Sequence, residues 1–317
     1  MTEVSKPFSL FRLPGVPMTK ISRYMNLREI LLVSFVSKKS AFIMKSILPP
    51  NWFNLEMKFS ENSEISLIAK GTWVPIKVKS QKTGDVFELQ IAQDNGVIAH
   101  RWTSRDFKAI VKQLLTHFAT VFNPTISIDF ETAYIQEFVI RVLQHVKQLN
   151  LVITSLKILS GNISPEGYKY ILEMHREVPE LSMFCEVASH FKYRVGPDFR
   201  VDDFLVSDGH WMHFEDFVNC KKVTVLHRND HKQKTYANPE VLRAFIRKWI
   251  ESDCRLEYLE VYGGFILFRF REVLSGLEYR TIEQTEYSHI VEITRRCDGR
   301  KGKVTCGTDH FELNVID

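Results

Sequence analysis

The stretch Phe8–Leu48 decides how the rest of the chain is organised, and it reads FSLFRLPGVPMTKISRYMNLREILLVSFVSKKSAFIMKSIL. Its apolar residues recur at helical spacing in three short segments, and Pro49-Pro50 ends the pattern. In the middle segment the apolar side chains fall on two faces, so that helix must be buried on more than one side. Because three helices this short cannot bury so much apolar surface alone, the stretch predicts a partner surface.

The apolar residues of these segments also form a recognisable motif, made of Leu13-Pro14, Ile21, Tyr24-Met25, Ile30, Val33 and Val36-Ser37-Lys38-Lys39. This motif resembles the F-box, the module that docks a substrate receptor onto the Skp adaptor of a cullin-type ubiquitin ligase. Ser37 replaces the commonest Cys of that family, and Ser40 stands where the family often has Trp. The Ser-Lys-Lys variant is similar to the expanded nematode F-box families.

The F-box resemblance implies a Skp-type adaptor as partner, and through it a cullin. It implies that the adaptor is bound by Leu13, Pro14, Ile21, Ile30, Val33 and Val36. The alternative is an ordinary small helical subdomain that packs on its own chain.

The composition predicts a soluble globular protein. Hydrophobic residues make up 44% of the chain and charged residues 25%. Its length of 317 residues is enough for two domains. No apolar run reaches bilayer length, and no signal-peptide pattern opens the chain, so we expect neither a membrane span nor secretion. The five cysteines form no C-x-x-C pair, which favours free buried thiols in the cytoplasm or nucleus. A net charge of +4 does not by itself indicate nucleic acid.

After Pro49-Pro50-Asn51 the apolar period changes from helical to two-fold. Alternating apolar residues predict short strands at Phe53–Phe59, Val74–Val78 and Phe87–Ile91. With the segment Ile65–Ala69 they make about four strands of one antiparallel sheet. A helical stripe then predicts a helix over Phe107–Phe122.

From Pro124 onward, strand and helix patterns alternate. The predicted strands are Thr125–Phe130, Ser155–Leu159, Leu181–Val187, Lys222–Leu226 and Leu256–Val261. The predicted helices are Thr132–Leu149, Trp211–Val218 and two that open at the capping sequences Ser164-Pro165-Glu166 and Asn238-Pro239-Glu240. This alternation indicates parallel strands connected by crossing helices.

Together, these patterns and the F-box resemblance predict a fold of mixed α and β class in three parts. The parts are a three-helix F-box at 8–48, a β-rich connecting region with a short antiparallel sheet at 52–122, and an α/β domain at 123–317. The last domain is expected to be leucine-rich-repeat-like, although its strand spacing is irregular compared with the ~20–29 residues of that class. One compact α/β layer is the alternative.

A second motif runs through 199–262. It consists of Trp211 opening a short helix, Cys220 before a strand with Val223 and Val225, a helix with Phe245 and Trp249 four apart, and a strand with Leu256 and Leu259. The stretch resembles the nematode F-box-associated type 2 domain. The segment ITRRCDGRKGKVTCGTDHFELNVI at 293–316, with its Asp298-Gly299 turn and Phe311, resembles the closing hairpin of that family, with a loop lengthened by Lys301-Gly302.

Catalytic chemistry finds little support in the sequence. There is no phosphate-binding glycine loop, no nucleophile elbow and no H-E-x-x-H motif. A cluster of histidines (His210, His213, His227 and His231) is expected to lie on the surface or in loops, without a metal. Nearby acids (Asp202, Asp203, Asp208, Glu215 and Asp216) are expected to cap and solvate helix ends. We therefore expect no cofactor and no catalytic residue.

Two further groups of residues have a structural and a functional interpretation. The basic residues Arg295, Arg296, Arg300, Lys301 and Lys303 are expected to form a solvated hairpin tip. A phosphate pocket or a salt-sensitive nucleic-acid site is the alternative for them. The tryptophans are expected mostly to pack in the core, with one or two lining a recognition surface, and they are Trp52, Trp73, Trp102, Trp211 and Trp249.

The two resemblances together imply a substrate-recognition subunit of a Skp–cullin–F-box ubiquitin ligase. Such a receptor is not an enzyme, because it contributes proximity while its partners carry the transfer chemistry. The α/β part centred on Phe199–Tyr262 is expected to bind an unidentified protein substrate. The alternative from another class is a stand-alone interaction scaffold that never joins a ligase.

Overall fold

The structure is a computed structural model that describes residues 15–49, 52–60, 63–69, 71–80, 87–92, 96, 98–104, 106–131, 136–226, 234–262, 269–307 and 310–316. These residues divide into two compact units. The first unit lies within Met1–Asp129 and Arg141–Ile153, and the second within Phe130–Ile140 and Thr154–Asp317. Both contain helices and strands, which confirms the mixed α and β class.

The described helices are α1 Gly15–Tyr24, α2 Leu27–Val36, α3 Lys38–Ile47, α4 Phe107–Val121, α5 Gln136–Gln148, α6 Pro165–Met174, α7 Pro239–Glu251 and α8 Phe270–Leu274. None of these described helices is long and apolar enough to cross a membrane. The strands of the first unit and its margin are β1 Phe53–Phe59, β2 Glu64–Ala69, β3 Thr72–Ser80, β4 Phe87–Ala92, β5 Ile98–Ser104 and β6 Thr125–Phe130. The strands of the second unit are β7 Ile153–Asn162, β8 Glu180–Glu186, β9 Asp203–Val206, β10 Lys222–Leu226, β11 Tyr258–Tyr262, β12 Arg280–Gln284, β13 Ser288–Thr294, β14 Lys301–Gly307 and β15 His310–Ile316.

The first unit confirms three short N-terminal helices followed by an antiparallel sheet. Strands β1 to β5 pair in chain order, and β6 lies beside β1. The register aligns one buried row, formed by Met57, Ile65, Ile76 and Ile91. Strands β1 to β4 match the four short strands that the sequence predicts, whereas the sequence analysis does not predict β5.

The second unit contains one mixed sheet. Strands β7 to β11 are parallel and adjacent in chain order, which confirms the predicted parallel strands, and β15, β14, β13 and β12 continue the sheet in antiparallel orientation. The register aligns one fully buried side chain from each of eight neighbouring strands. This row is Leu156, Leu181, Phe204, Val223, Leu259, Leu313, Val304 and Val291. Its burial contributes to the hydrophobic stabilisation of the unit.

The two predicted capping sequences begin helices as expected. Ser164 accepts a hydrogen bond from the Gly167 N–H at 3.1 Å at the start of α6. Asn238 accepts one from the Glu240 N–H at 3.0 Å at the start of α7. Each side chain satisfies a backbone donor that the first helical turn leaves unpaired, and proline follows where no donor is needed.

The sequence analysis is wrong about one predicted helix of the second unit, and it does not predict strand β9. The segment Trp211–Val218 does not form a helix but contains only the 3₁₀ turn Phe214–Asp216. The apolar residues of this segment, among them Trp211, Met212 and Phe217, are all buried. In a regular helix these positions would lie on more than one face, and a helix with a single apolar stripe could not bury them all. Strand β9 was not predicted, since only Phe204 and Val206 alternate over its four residues.

The predicted division into 8–48, 52–122 and 123–317 stays a prediction. The two units record which residues pack together, and not which segments fold by themselves. Helices α1 to α3 nevertheless contact one another, and α2 contacts β3 while α3 contacts α4. The N-terminal helices are therefore part of the first unit.

Candidate functional site

Side-chain hydrogen bonds satisfy the backbone donors at the starts of the N-terminal helices α2 and α3. The Asn26 side chain accepts a hydrogen bond from the Glu29 N–H at 2.9 Å, and the Glu29 carboxylate accepts one from the Asn26 N–H at 2.8 Å. Ser37 and Ser40 form the same reciprocal arrangement at the start of α3. These capping boxes fix where α2 and α3 begin, and therefore which side chains each helix exposes.

One face of α2 is anchored inside the first unit. Leu31 is fully buried, and the Ser34 hydroxyl donates to the Leu31 carbonyl oxygen at 2.7 Å. The Ser34 oxygen also lies 2.8 Å from Nε2 of His117 on α4. Phe35 stacks on the His117 ring at a centroid distance of 4.2 Å. Burial lowers the pKa of His117 to about 4, so its imidazole is neutral at pH 7.

Other apolar side chains of the three helices face water. Tyr24 at the end of α1 is 92% exposed, Val36 at the end of α2 is 72% exposed, and Phe42 in α3 is 70% exposed. Ile21 and Val33 are half-buried. Contiguous exposed apolar patches mark interaction sites, so these side chains are candidates for such a site. We call Ile21, Tyr24, Val33, Val36 and Phe42 the helical surface.

The predicted adaptor-binding residues are distributed unevenly over this surface. Leu13 and Pro14 lie outside the described residues. Ile21, Val33 and Val36 belong to the helical surface, whereas Ile30 is only 8% exposed and packs in its own unit. Contact of these residues with an adaptor stays a prediction. Sequence reasoning did not select Tyr24 or Phe42 as binding residues, because an apolar residue in a helical pattern does not reveal which face is left uncovered.

In the second unit, the prediction of surface or loop histidines is wrong for His210. Its ring is almost fully buried, and Nδ1 lies 2.7 Å from a carboxylate oxygen of Asp208. The other Asp208 oxygen accepts a hydrogen bond from the Val187 N–H at 3.0 Å, and the Trp211 indole donates to the Asp208 carbonyl. Asp208 therefore holds β8, β9 and the following turns together, and it does not solvate a helix end. His227 and His231 lie outside the described residues.

The remaining acids of this region are bound to cations and do not converge on one another. Arg194 donates to Asp216 at 2.6 and 2.7 Å and to Glu215 at 2.6 Å. Asp202 contacts Lys221 and Arg255. Within the described part of the chain, no group of three or more His, Cys, Asp or Glu side chains is arranged to hold a metal ion.

The predicted solvated basic tip is wrong for Arg295. This guanidinium is buried, donates to Asp298 at 2.9 Å and to the Cys254 carbonyl at 2.7 Å, and lies 5.4 Å from the Trp249 ring centre. Hydrogen bonding from Arg295 lowers the pKa of Asp298 well below its usual range. Arg295 therefore ties the turn to the core, and only the other basic residues of this loop face solvent or lie at its edge.

The cysteines behave mostly as predicted. All five are free, and Cys185, Cys220, Cys254 and Cys306 are buried, whereas Cys297 is exposed. Burial raises the pKa of Cys220 and of Cys306 to about 12 in each case, so these thiols are protonated and poor nucleophiles at pH 7.

The predicted core role of the tryptophans holds for two of them. Trp211 and Trp249 are buried, but Trp52 and Trp73 are exposed in the first unit. The side chain of Trp102 lies outside the described residues.

Comparison of the chain with models of known protein families, with curated proteins and with solved structures finds no match.

Proposed function

We propose that this chain is the substrate-recognition subunit of a Skp–cullin–F-box ubiquitin ligase. The observation that carries the proposal is the helical surface, in which Val36 and Phe42 stay exposed on helices whose other faces are anchored in the unit. These helices coincide with the segment whose sequence resembles an F-box. In this role α1 to α3 bind the Skp-type adaptor, which links the chain to a cullin.

The energetics require a broad contact. Burial of Val36 and Phe42 contributes about 1.5–3 kcal/mol for each side chain. A nanomolar complex requires about 12 kcal/mol net. The remainder must come from the half-buried Ile21 and Val33, from Tyr24 and from further residues such as Leu13 and Pro14. The adaptor therefore has to cover the whole helical surface, not one anchor residue.

The second unit supplies the substrate-binding part of the proposal. Its parallel strands β7 to β11 succeed one another in chain order, and this order supports the proposal of a leucine-rich-repeat-like domain. Such a domain presents loops that differ from one protein to the next, and these loops select a protein substrate. The chain has no catalytic task in this role, because holding a substrate lysine near the conjugating partner raises its effective concentration. The complex acts in the cytoplasm or nucleus.

The experiment is co-purification of the full chain with a recombinant Skp-type adaptor. We expect the wild-type chain to elute with the adaptor and the double variant Val36→Glu, Phe42→Glu to elute without it. Val152→Glu is the matched control, because Val152 is a 62% exposed valine of the same unit outside the helical surface. Wild-type chain that elutes alone, or a double variant that still carries the adaptor, contradicts the proposal.

A stand-alone scaffold is the second candidate, and the burial of Leu31 and Met44 favours it. Both side chains are fully covered by their own unit, as expected if the helices serve only as a cap on the sheet. In that case the chain folds and binds its protein partners, but it does not retain the adaptor. The same co-purification therefore separates the two candidates.

A further inference from the structure

A groove in the first unit is lined by none of the exposed residues Tyr24, Val36 and Phe42 of the helical surface. It runs between the end of α1, the start of α2, the end of α3 and the adjoining ends of β1, β2 and β3. Its cavity volume is about 910 Å³. Clefts of roughly 300–1,000 Å³ are the size at which proteins bind small ligands and peptide side chains.

The floor of the groove is apolar and fixed by strand pairing. Phe53 lies opposite Ala69 across β1 and β2, and Ala69 lies opposite Thr72 across β2 and β3. Leu27 and Val74, both buried, complete this surface. A floor built on a paired sheet keeps its shape when the groove is empty, which lowers the entropic cost of binding.

Two exposed tryptophans line the groove. Trp52 precedes β1 and is 46% exposed, and Trp73 in β3 is 60% exposed. Trp73 lies opposite Ile68 in the β2–β3 pair, so its position is set by the sheet. Tryptophan is the residue type most enriched among the strong contacts of interfaces, because it buries a large rigid surface.

The charge of the groove has one sign. Arg23 and Arg28 are the charged residues among its described lining residues, which include no carboxylate. Arg23 is exposed in the last turn of α1. An apolar floor with two arginines is complementary to apolar side chains that stand next to carboxylates. Because most of the lining surface is apolar and only two cations are present, the groove fits a peptide better than a nucleic-acid strand, which needs a continuous series of cations.

We propose that this groove binds a short acidic peptide segment of a partner protein. An aromatic or aliphatic side chain of the peptide packs against Trp52 and Trp73, and an aspartate or glutamate beside it pairs with Arg23. The proposed contacts, Trp52, Trp73 and Arg23, are not among the residues expected to bind the adaptor, although Ile30 of that set also lines the groove. A failed adaptor test and a failed peptide test are therefore distinguishable.

The first test is selection of random linear peptides, displayed on phage, against the immobilised full chain. We expect the retained peptides to be enriched in Asp and Glu next to Phe, Leu, Ile or Trp. Each enriched peptide is then synthesised with a fluorophore and titrated by anisotropy. No enrichment, or enrichment of basic or uncharged peptides, overturns the proposal.

Single substitutions then assign the peptide to the groove. We expect Arg23→Glu to weaken binding about fivefold to tenfold, and Trp73→Ala to weaken it about thirtyfold. Lys45→Glu is the matched control, because Lys45 is an exposed cation in the last turn of α3 but does not line the groove. Affinity in the control should stay within about twofold of the wild-type value.

Unchanged thermal unfolding of each variant shows that the loss of binding is not caused by a loss of folding.

Two other possible occupants of the groove would give distinct results. A full chain that sediments as a dimer, and as a monomer after Trp73→Ala, identifies a second copy as the occupant and overturns the proposal. Tight binding of single-stranded oligonucleotides that competes with the peptide overturns it in favour of nucleic acid.

Discussion

The His117 contact predicts that acid weakens the anchoring of α2. His117 lies against Ser34 and against the rings of Phe35, Phe118 and Phe122, and none of these contacts is charged. Burial lowers its pKa from 6.5 to about 4 in the folded chain. The unfolded chain therefore binds a proton below pH 6.5, whereas the folded chain does so only near pH 4. The contribution of His117 to stability is complete above pH 6.5 and is lost as the pH falls from 6.5 towards 4.

The size of the effect follows from the two pKa values. One pKa unit corresponds to about 1.36 kcal/mol, so lowering the pH from 7.5 to 5 removes about 2 kcal/mol of stability. Partial exposure of the ring to solvent reduces this to about 1–2 kcal/mol. That is a substantial fraction of the about 5–15 kcal/mol by which a domain is stable.

Urea unfolding of the full chain between pH 7.5 and pH 5 measures the effect. The variant His117→Gln keeps a side-chain donor for Ser34 but cannot titrate, so the first unit of this variant should lose about 1–2 kcal/mol less stability than wild type over this range. His145→Gln is the control, because it removes another histidine of the same unit, one that contacts Thr116 on α4. Equal losses in wild type and His117→Gln would refute this reasoning.

Two further predictions concern the second unit. A methyl group on Gly302 would lie 2.9 Å from the buried Trp249 ring, so Gly302→Ala should destabilise the fold by about 1–3 kcal/mol in thermal unfolding. Gly161→Ala is the control, because Gly161 has open space around it, and this variant should keep the wild-type stability. Equal melting temperatures for the two variants would contradict this prediction. Brief alkylation of the native chain should modify Cys297 alone, since the other four thiols are buried, and mass spectrometry that finds two or more adducts counts against the structure.

Local patterns were sufficient to predict most elements. The capping sequences at Ser164 and Asn238 and the alternation in β1 report interactions between residues close in the chain, which a sequence displays directly. Strand β12 gave no such signal, because all five of its residues are exposed and none alternates with a buried neighbour. It is a strand only because β13 pairs with it.

The polar interior could not be predicted in the same way. Asp208 is buried because the Val187 N–H, 21 residues away, needs an acceptor. The buried Arg295 donates a hydrogen bond to the Cys254 carbonyl oxygen, 41 residues away. Such pairs depend on which strands become neighbours, and the topology decides this. The helical surface has the same limit, since the periodicity of α2 identifies its apolar faces but not the face that its own sheet covers.

The position of β15 has a consequence for synthesis of the protein. This strand, at residues 310–316, lies between β11 and β14 and pairs with both. The backbone hydrogen-bonding groups on one edge of β11 are therefore unpaired until the ribosome has released residues 310–316. Until then, the paired strands β13 and β14 cannot join the sheet, because β15 is the strand that connects them to β11. Premature termination anywhere before residue 310 should therefore yield a product with an open strand edge, which is a substrate for chaperones and for aggregation.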